Sequence, residues 1–343
     1  MTRPARERLD GILLIALSAV GFGVMAIFTR LAYAHGADLY GVLIPRFWIA
    51  GLILLMVALL RGLAWPKLAT VALLAAMGGI GYVGQSYCFF SALNYAPASL
   101  VALLLYTYPI MVTLLAALFL HERITMFKLS ALALCGLGTL LTIGANGIGV
   151  GATTLGVSLA LGAAVIYAVY VTVGAKITRD VDPVVTTTVV CLAAAVVLTL
   201  LALARSQMGM PPHFPVTATG WAGVAGVTII STVIAILAFF AGLQRLGASL
   251  ASMLSTLEPI VTVGLAALLL SESLTAWQWL GGTLTLVGVV RLAGASPVPE
   301  PACHGGHTKA TPEPTPEPVS GAGCDSEASQ LSLTPQIEGW ADL

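Results

Sequence analysis

Long apolar runs separated by short polar joints divide residues 11–293 into ten segments: 11–33, 41–60, 69–91, 99–120, 127–143, 155–177, 183–203, 219–241, 248–270 and 277–293. Each approaches the ~20 mostly apolar residues that a helix needs to cross the hydrocarbon of a bilayer. Because lipid satisfies no backbone group, such runs are expected to be helical. The pattern predicts an all-α membrane protein with ten transmembrane helices. The first run has Arg3, Arg6 and Arg8 ahead of it and Ala32-Tyr33-Ala34 behind it, the outline of a secretory leader. Its apolar core exceeds the ~7–15 residues of a leader, so it is read as a helix.

The fourth and ninth runs repeat each other. Ser99–Glu122, SLVALLLYTYPIMVTLLAALFLHE, and Ser249–Glu272, SLASMLSTLEPIVTVGLAALLLSE, lie 150 residues apart. They agree in register at Ser99, Leu100, Leu104, Pro109, Ile110, Leu120 and Glu122, among others. A proline near the middle and a glutamate past the end, at one offset, point to an internal duplication. The copies are residues 1–145 and 146–293, each with five helices. Five is odd, so the second copy must enter the membrane upside down. Inverted repeats of this kind are a mark of secondary transporters, whose halves exchange conformations to open on either side.

Composition changes this picture little but excludes several alternatives. The chain is 58% hydrophobic and 9% charged, against about 25% charged in soluble domains. No basic patch with interleaved aromatics is present, which excludes nucleic acid as a partner. There is no Walker loop, G-x-S-x-G or H-E-x-x-H, so no enzyme chemistry and no cofactor are expected. Cys88, Cys135 and Cys191 lie in apolar runs and read as small buried residues.

The placement of charge orients the chain. With the amino terminus inside, the inner joints hold Arg3, Arg6, Arg8, Arg61, Lys67, Arg123, Lys128, Lys176, Arg179, Arg245, Arg291 and Lys309. The outer joints hold only Arg205. Basic residues stay cytoplasmic, so both termini are expected there. Residues 294–343, rich in Pro, Gly, Ser and Glu, are expected to form a disordered cytoplasmic tail. Cys303, His304 and His307 on it are three potential ligands on a floppy segment and are not read as a metal site.

Several motifs resemble the EamA-type transporters of the drug/metabolite transporter superfamily. They are the endings LHERIT (120–125) and LSESLT (270–275), Pro109 and Glu258-Pro259 in mid-helix, and Arg46-Phe47 in the second run. The resemblance covers residues ~11–293. It implies a multi-pass inner-membrane carrier of small metabolites, often an exporter of amino acids or related compounds. It also implies a central cavity lined by helices 1, 3, 4, 6, 8 and 9.

The candidate site gathers around the prolines. Each lacks an N–H and clashes with the carbonyl four residues back, which leaves those of Leu105 and Ser255 without helical partners. Free carbonyls in lipid are tolerated only against protein or a wet cavity, so Pro109 and Pro259 are read as cavity-facing hinges. Tyr106, Thr107 and Tyr108 accompany one, and Ser255, Thr256 and Glu258 the other. Glu258 is the main candidate. A charge at that depth is penalised by about 2.5–3.5 kcal/mol on insertion scales. Ser255 and Thr262 share its helical face, and Tyr108 stands at its offset in the first copy. It is read as the group that takes up a coupling proton or pairs with a substrate amine.

Other polar residues complete the set. Tyr82 and Gln85 lie in the glycine-rich third run; Gln85 either bonds a neighbouring helix or meets the solute. Tyr167 and Tyr170, one turn apart in the sixth run, offer ring or hydroxyl contacts. Phe22 and Met25 read as cavity wall. Arg46 and Arg30 read as snorkelling toward the outer interface, Glu122 and Glu272 as structural anchors, and Trp277 and Trp279 as aromatic belt.

The expected function is transport of a small polar solute across the bilayer by alternating access, as export of amino acids or related metabolites, with proton coupling. Import of such a solute and efflux of a lipophilic cation are the alternatives within that class. A membrane-embedded enzyme or scaffold is the alternative outside it.

Overall fold

The structure, a computed structural model, describes residues 3–92, 95–96, 98–122, 124–144, 153–270 and 275–294. Among them every regular element is helical. The first half runs through α1 (Arg3–Gly23), α2 (Met25–Ala34) and α3 (Leu39–Leu60). Next come α4 (Leu68–Ala76), a π-helical turn at Met77–Tyr82 and α5 (Val83–Ala92), then α6 (Ala98–Leu105), α7 (Tyr108–Phe119) and α8 (Met126–Gly144). The second half holds α9 (Thr154–Ile177), α10 (Pro183–Gln207), α11 (Ala218–Thr228), a second π-helical turn at Ile229–Ile234 and α12 (Ala235–Leu246). It closes with α13 (Ala248–Leu254), α14 (Leu257–Leu270) and α15 (Ala276–Gly294).

Among the described residues, seven stretches are long and apolar enough to cross a membrane: Arg6–Ala34, Leu39–Leu60, Leu68–Phe89, Leu100–Phe119, Thr154–Ile177, Pro183–Gln207 and Ala218–Leu246. The chain is thus an all-helical, multi-pass membrane protein. The remaining predicted runs are helical as α8, α13 with α14, and α15, without meeting that measure among the described residues. The predicted tail, 294–343, lies outside the described residues from 295 onward, with Cys303, His304 and His307, as does Glu272; its first residue, Gly294, ends α15.

Helix starts follow from short polar side chains that take up the orphan N–H groups of a first turn. Asp38 accepts from Gly41 N at 2.7 Å to open α3, and Asp182 from Val184 N at 2.8 Å to open α10. Thr153 and Thr217 do the same for α9 and α11.

The helices then pack by close antiparallel approach. In α3 against α10, Trp48 Nε1 donates to Thr199 while Gly51 meets Leu192, so register rises on one helix as it falls on the other. In α8 against α15, Gly138 abuts Thr285 and Gly288 abuts Cys135. In α1 against α12, Gly11 meets Leu246 and Gly21 meets Ala235. α9 runs likewise against the third rod: Gly174 packs on Met77, Tyr170 on Gly81 and Gly156 on Tyr95. The glycines let backbones approach where lipid supplies no hydrophobic drive for helix association.

At the end where α13 begins, Glu122 links two elements. Its Oε1 accepts from Ala248 N at 3.0 Å, and Oε2 pairs with Lys128 Nζ at 3.5 Å. The carboxylate complements the dipole of another helix rather than opposing that of its own.

Candidate functional site

Irregular backbone converges at the centre. α1 gives way to α2 at Val24, α6 to α7 at residues 106–107, and α13 to α14 at residues 255–256. Gly23, at the first break, abuts the Glu258 carbonyl and Val261 at the start of α14. Thr107 and Thr256 brace the other two breaks alike: each hydroxyl donates to the carbonyl three residues back, Leu104 or Met253, at 2.6 Å.

These breaks revise the part expected of the prolines. Pro109 and Pro259 do not kink a continuous helix; they stand in the first turn of a new one, where a missing N–H is harmless. The Ser255 carbonyl, expected to lack a partner, accepts from Glu258 N at 3.0 Å.

Glu258 therefore lies in the first turn of a half-helix, where aligned peptide dipoles favour negative charge. Tyr106 lies beside its carboxyl. Ser255 and Thr262 were expected to be its hydroxyl neighbours. Instead Ser255 Oγ donates to Ala251 O at 2.9 Å, and Thr262 Oγ1 donates to the backbone carbonyls of Glu258 at 3.0 Å and Gly23 at 3.3 Å. A hydroxyl on a helix can always reach back to its own backbone, and here it does.

From Glu258 a wall of tyrosines extends across the bundle. Tyr108, buried, lies 6.4 Å from Tyr106 and makes an edge contact at 4.6 Å with Tyr167. Its hydroxyl reaches Ser252 O at 3.5 Å. Tyr167 stacks on Tyr170 at 5.9 Å, and Tyr170 lies 6.4 Å from Tyr82. Tyr167, Tyr82 and Gln85 are half-buried, whereas Tyr170 is buried behind them against Gly81 and Phe240. Gln85 makes no bond to a neighbouring helix among the described residues; its Oε1 accepts from Ser86 Oγ at 3.4 Å.

The residue that sequence reasoning misplaced is Arg46. It does not snorkel: the side chain is 2% exposed. Nε donates to Thr232 Oγ1 at 2.6 Å, Nη1 to Met25 Sδ at 3.2 Å, and Nη2 to Ser231 O at 3.3 Å and Tyr82 OH at 3.5 Å. The guanidinium also sits 4.9 Å from the Phe47 ring centroid. One arginine thus touches both π-helical turns, Tyr82 in the first and Ser231-Thr232 in the second. Such turns are rare and concentrate at functional sites. The signal that was available is Asp38, which starts the helix at Leu39 and sets Arg46 about two turns inside it.

A cavity of about 540 Å³ opens where α3 and α9 begin and α5 and α10 end. Leu39, Leu43, Val83, Ser86, Leu155 and Arg205 are among its lining. Leu43 is one turn from Arg46, and Val83 follows Tyr82.

A multi-pass helical bundle whose centre is polar, with helices broken at the polar groups, has the build of a membrane transporter. The sequence matches the EamA-like transporter family twice, over residues 9–144 and 154–293. The chain belongs to that family, within the drug/metabolite transporter superfamily. It is 25% identical to the uncharacterized transporter YyaM of Bacillus subtilis (strain 168), over 74% of this chain and 84% of that protein. It is 24% identical to the uncharacterized transporter sll1319 of Synechocystis sp., over 83% of this chain and 93% of that protein. A solved crystal structure shares the fold with a TM-score of 0.72 at 23% identity, covering 84% of this chain and 98% of its own.

Proposed function

We propose that this membrane transporter is a secondary carrier of ten transmembrane helices, in inverted repeats 1–145 and 146–293, that exports amino acids or related small polar metabolites by alternating access. The observation that carries the reading is Glu258: a carboxyl at a half-helix start, beside Tyr106 and walled by Tyr108 and Tyr167. A titratable group held there fits solute or proton exchange.

The helix pairings support the inversion. Exchanging the first five rods for the last five turns α1 against α12 into α9 against α5, and α1 against α14 into α9 against α7. The pairs α3 with α10 and α8 with α15 map onto themselves. Antiparallel self-mapping pairs are what a two-fold axis across the helices produces. The family resemblance implies the inner membrane, and the distribution of basic residues favours both termini in the cytoplasm.

Pro109 and Pro259 act as hinges in this reading, with Tyr82, Gln85, Tyr108, Tyr167, Tyr170 and Ser255 about the solute. Glu258 takes up the coupling proton or pairs with the solute's amino group. Tyrosines around a carboxyl also favour a second reading, efflux of a lipophilic cation held by cation–π contacts.

Two measurements test the proposal. Metabolite profiles of medium and cytosol, with and without overproduction, should show a small polar solute lost from cells. Glu258→Gln should then retain folding and lose pH-driven transport, with Glu258→Asp impaired less. Wild-type transport by Glu258→Gln with an unchanged pH profile would remove the residue from the mechanism.

A further inference from the structure

Arg46 is a buried cation without a carboxylate partner among the described residues. Among the described residues no carboxylate forms an ion pair with it, whereas Lys128 pairs with Glu122 and His213 with Asp38. A buried unpaired charge is among the least favourable features a bilayer protein can hold, and such residues persist where they serve a function.

The geometry of its bonds shows which edge is occupied. Nε is held at 2.6 Å by the Thr232 hydroxyl. The two Nη groups meet only a thioether sulfur, a weak acceptor, and oxygens at 3.3 Å and 3.5 Å. The fork that binds planar oxyanions in bidentate fashion is thus the loosely satisfied part of the guanidinium. A second observation lies on the same π-helical turn. Ser231, fully buried, has a hydroxyl with no hydrogen-bond partner among the described residues. Buried hydroxyls are nearly always paired, so this one needs an explanation. Tyr82, half-buried, joins the fork to the tyrosine wall. The cavity reaches Leu43, one turn away along α3.

We infer that the Nη edge of Arg46, with the hydroxyls of Ser231 and Tyr82, binds a carboxylate of the transported solute. The inference rests on the transporter reading and deepens it. The solute is a small organic acid or amino acid whose anionic end docks at Arg46, while Glu258 serves the other end of the wall or the proton. A lipophilic cation has no group for this site.

The test uses full-length protein in nanodiscs and a panel of small carboxylates, amino acids included, each paired with its primary amide. Ligands that raise the melting temperature should be carboxylates, and each amide should bind at least about tenfold more weakly, the loss expected for a charge-assisted bond. Arg46→Gln should level each pair. Arg46→Lys should keep part of the preference, since charge remains without the fork. Ser231→Ala should weaken carboxylate binding several-fold without lowering the unliganded melting temperature, because its hydroxyl has no partner among the described residues. That variant keeps the test open if Arg46→Gln does not fold. Amides that bind as well as acids, or full carboxylate affinity in Ser231→Ala and Arg46→Lys together, would overturn the site. Carboxylates that bind but are not carried into wild-type proteoliposomes would instead overturn the transporter reading and leave the site standing.

Discussion

Substituting alanine at two glycines of one rod, Gly78 and Gly84, tests how the site is framed. A methyl group on Gly78 would lie 2.2 Å from the carbonyl oxygen of Val190 and 2.8 Å from its Cα. Both are backbone atoms of α10, so no side chain can rotate away. Ordinary contact begins near 3.4 Å, and the two helices would have to part by about 1 Å. Overpacking of this kind is destabilising by about 1–3 kcal/mol, and here the upper end applies because whole helices must move. Around a Gly84 methyl nothing lies within 4 Å. Gly84→Ala should be neutral, or stabilising by up to about 1 kcal/mol through helix propensity. The assay is the apparent melting temperature of detergent-purified full-length protein, read by fluorescence after heating and size-exclusion chromatography. Gly78→Ala should melt well below wild type, and Gly84→Ala at or above it. Equal effects of the two substitutions would refute the π-helical turn's packing on α10, and with it the support behind Tyr82 and Arg46.

Other predictions concern the joints. Glu122→Ala removes both the cap on α13 and the partner of Lys128, and should lower stability by about 1–2 kcal/mol in the same assay. Lys128→Ala, which breaks only the ion pair, should change it by less than about 1 kcal/mol. Gly247 has φ +79° and ψ 174°, a conformation that other residues rarely adopt, and its added methyl would meet Glu122 Oε1 at 2.8 Å. Gly247→Ala should therefore lower stability by about 1–3 kcal/mol. Pro109→Ala and Pro259→Ala should leave abundance nearly intact while slowing transport per molecule in proteoliposomes, because each lets two half-helices fuse. Loss of folded protein with normal turnover would instead make the prolines architectural. Reporter fusions after residues 124 and 275 should fall on opposite sides of the membrane; the same side for both would refute the inversion.

What the sequence determined by itself is what depends on neighbours along the chain. Apolar runs of bilayer length specify helices because lipid leaves the backbone no other partner, and the duplicated Ser99–Glu122 pattern is visible by eye. The prolines, the Glu258 position and the EamA resemblance were legible for the same reason. Which polar groups meet was decided only by the tertiary structure. Ser255 and Thr262 share a face with Glu258, yet their hydroxyls turn to nearby backbone carbonyls, and Tyr106 from the other copy stands beside the carboxyl. The glycines of the third rod look alike in sequence, but Gly78 touches α10 and Gly84 touches nothing. Arg46 looked like an interfacial residue until two π-helical turns, from rods far apart in the chain, closed around it. Helix formation in lipid is a local bargain between N–H and carbonyl; burial of a charge is settled by register and rotation between helices, which no single run of residues encodes.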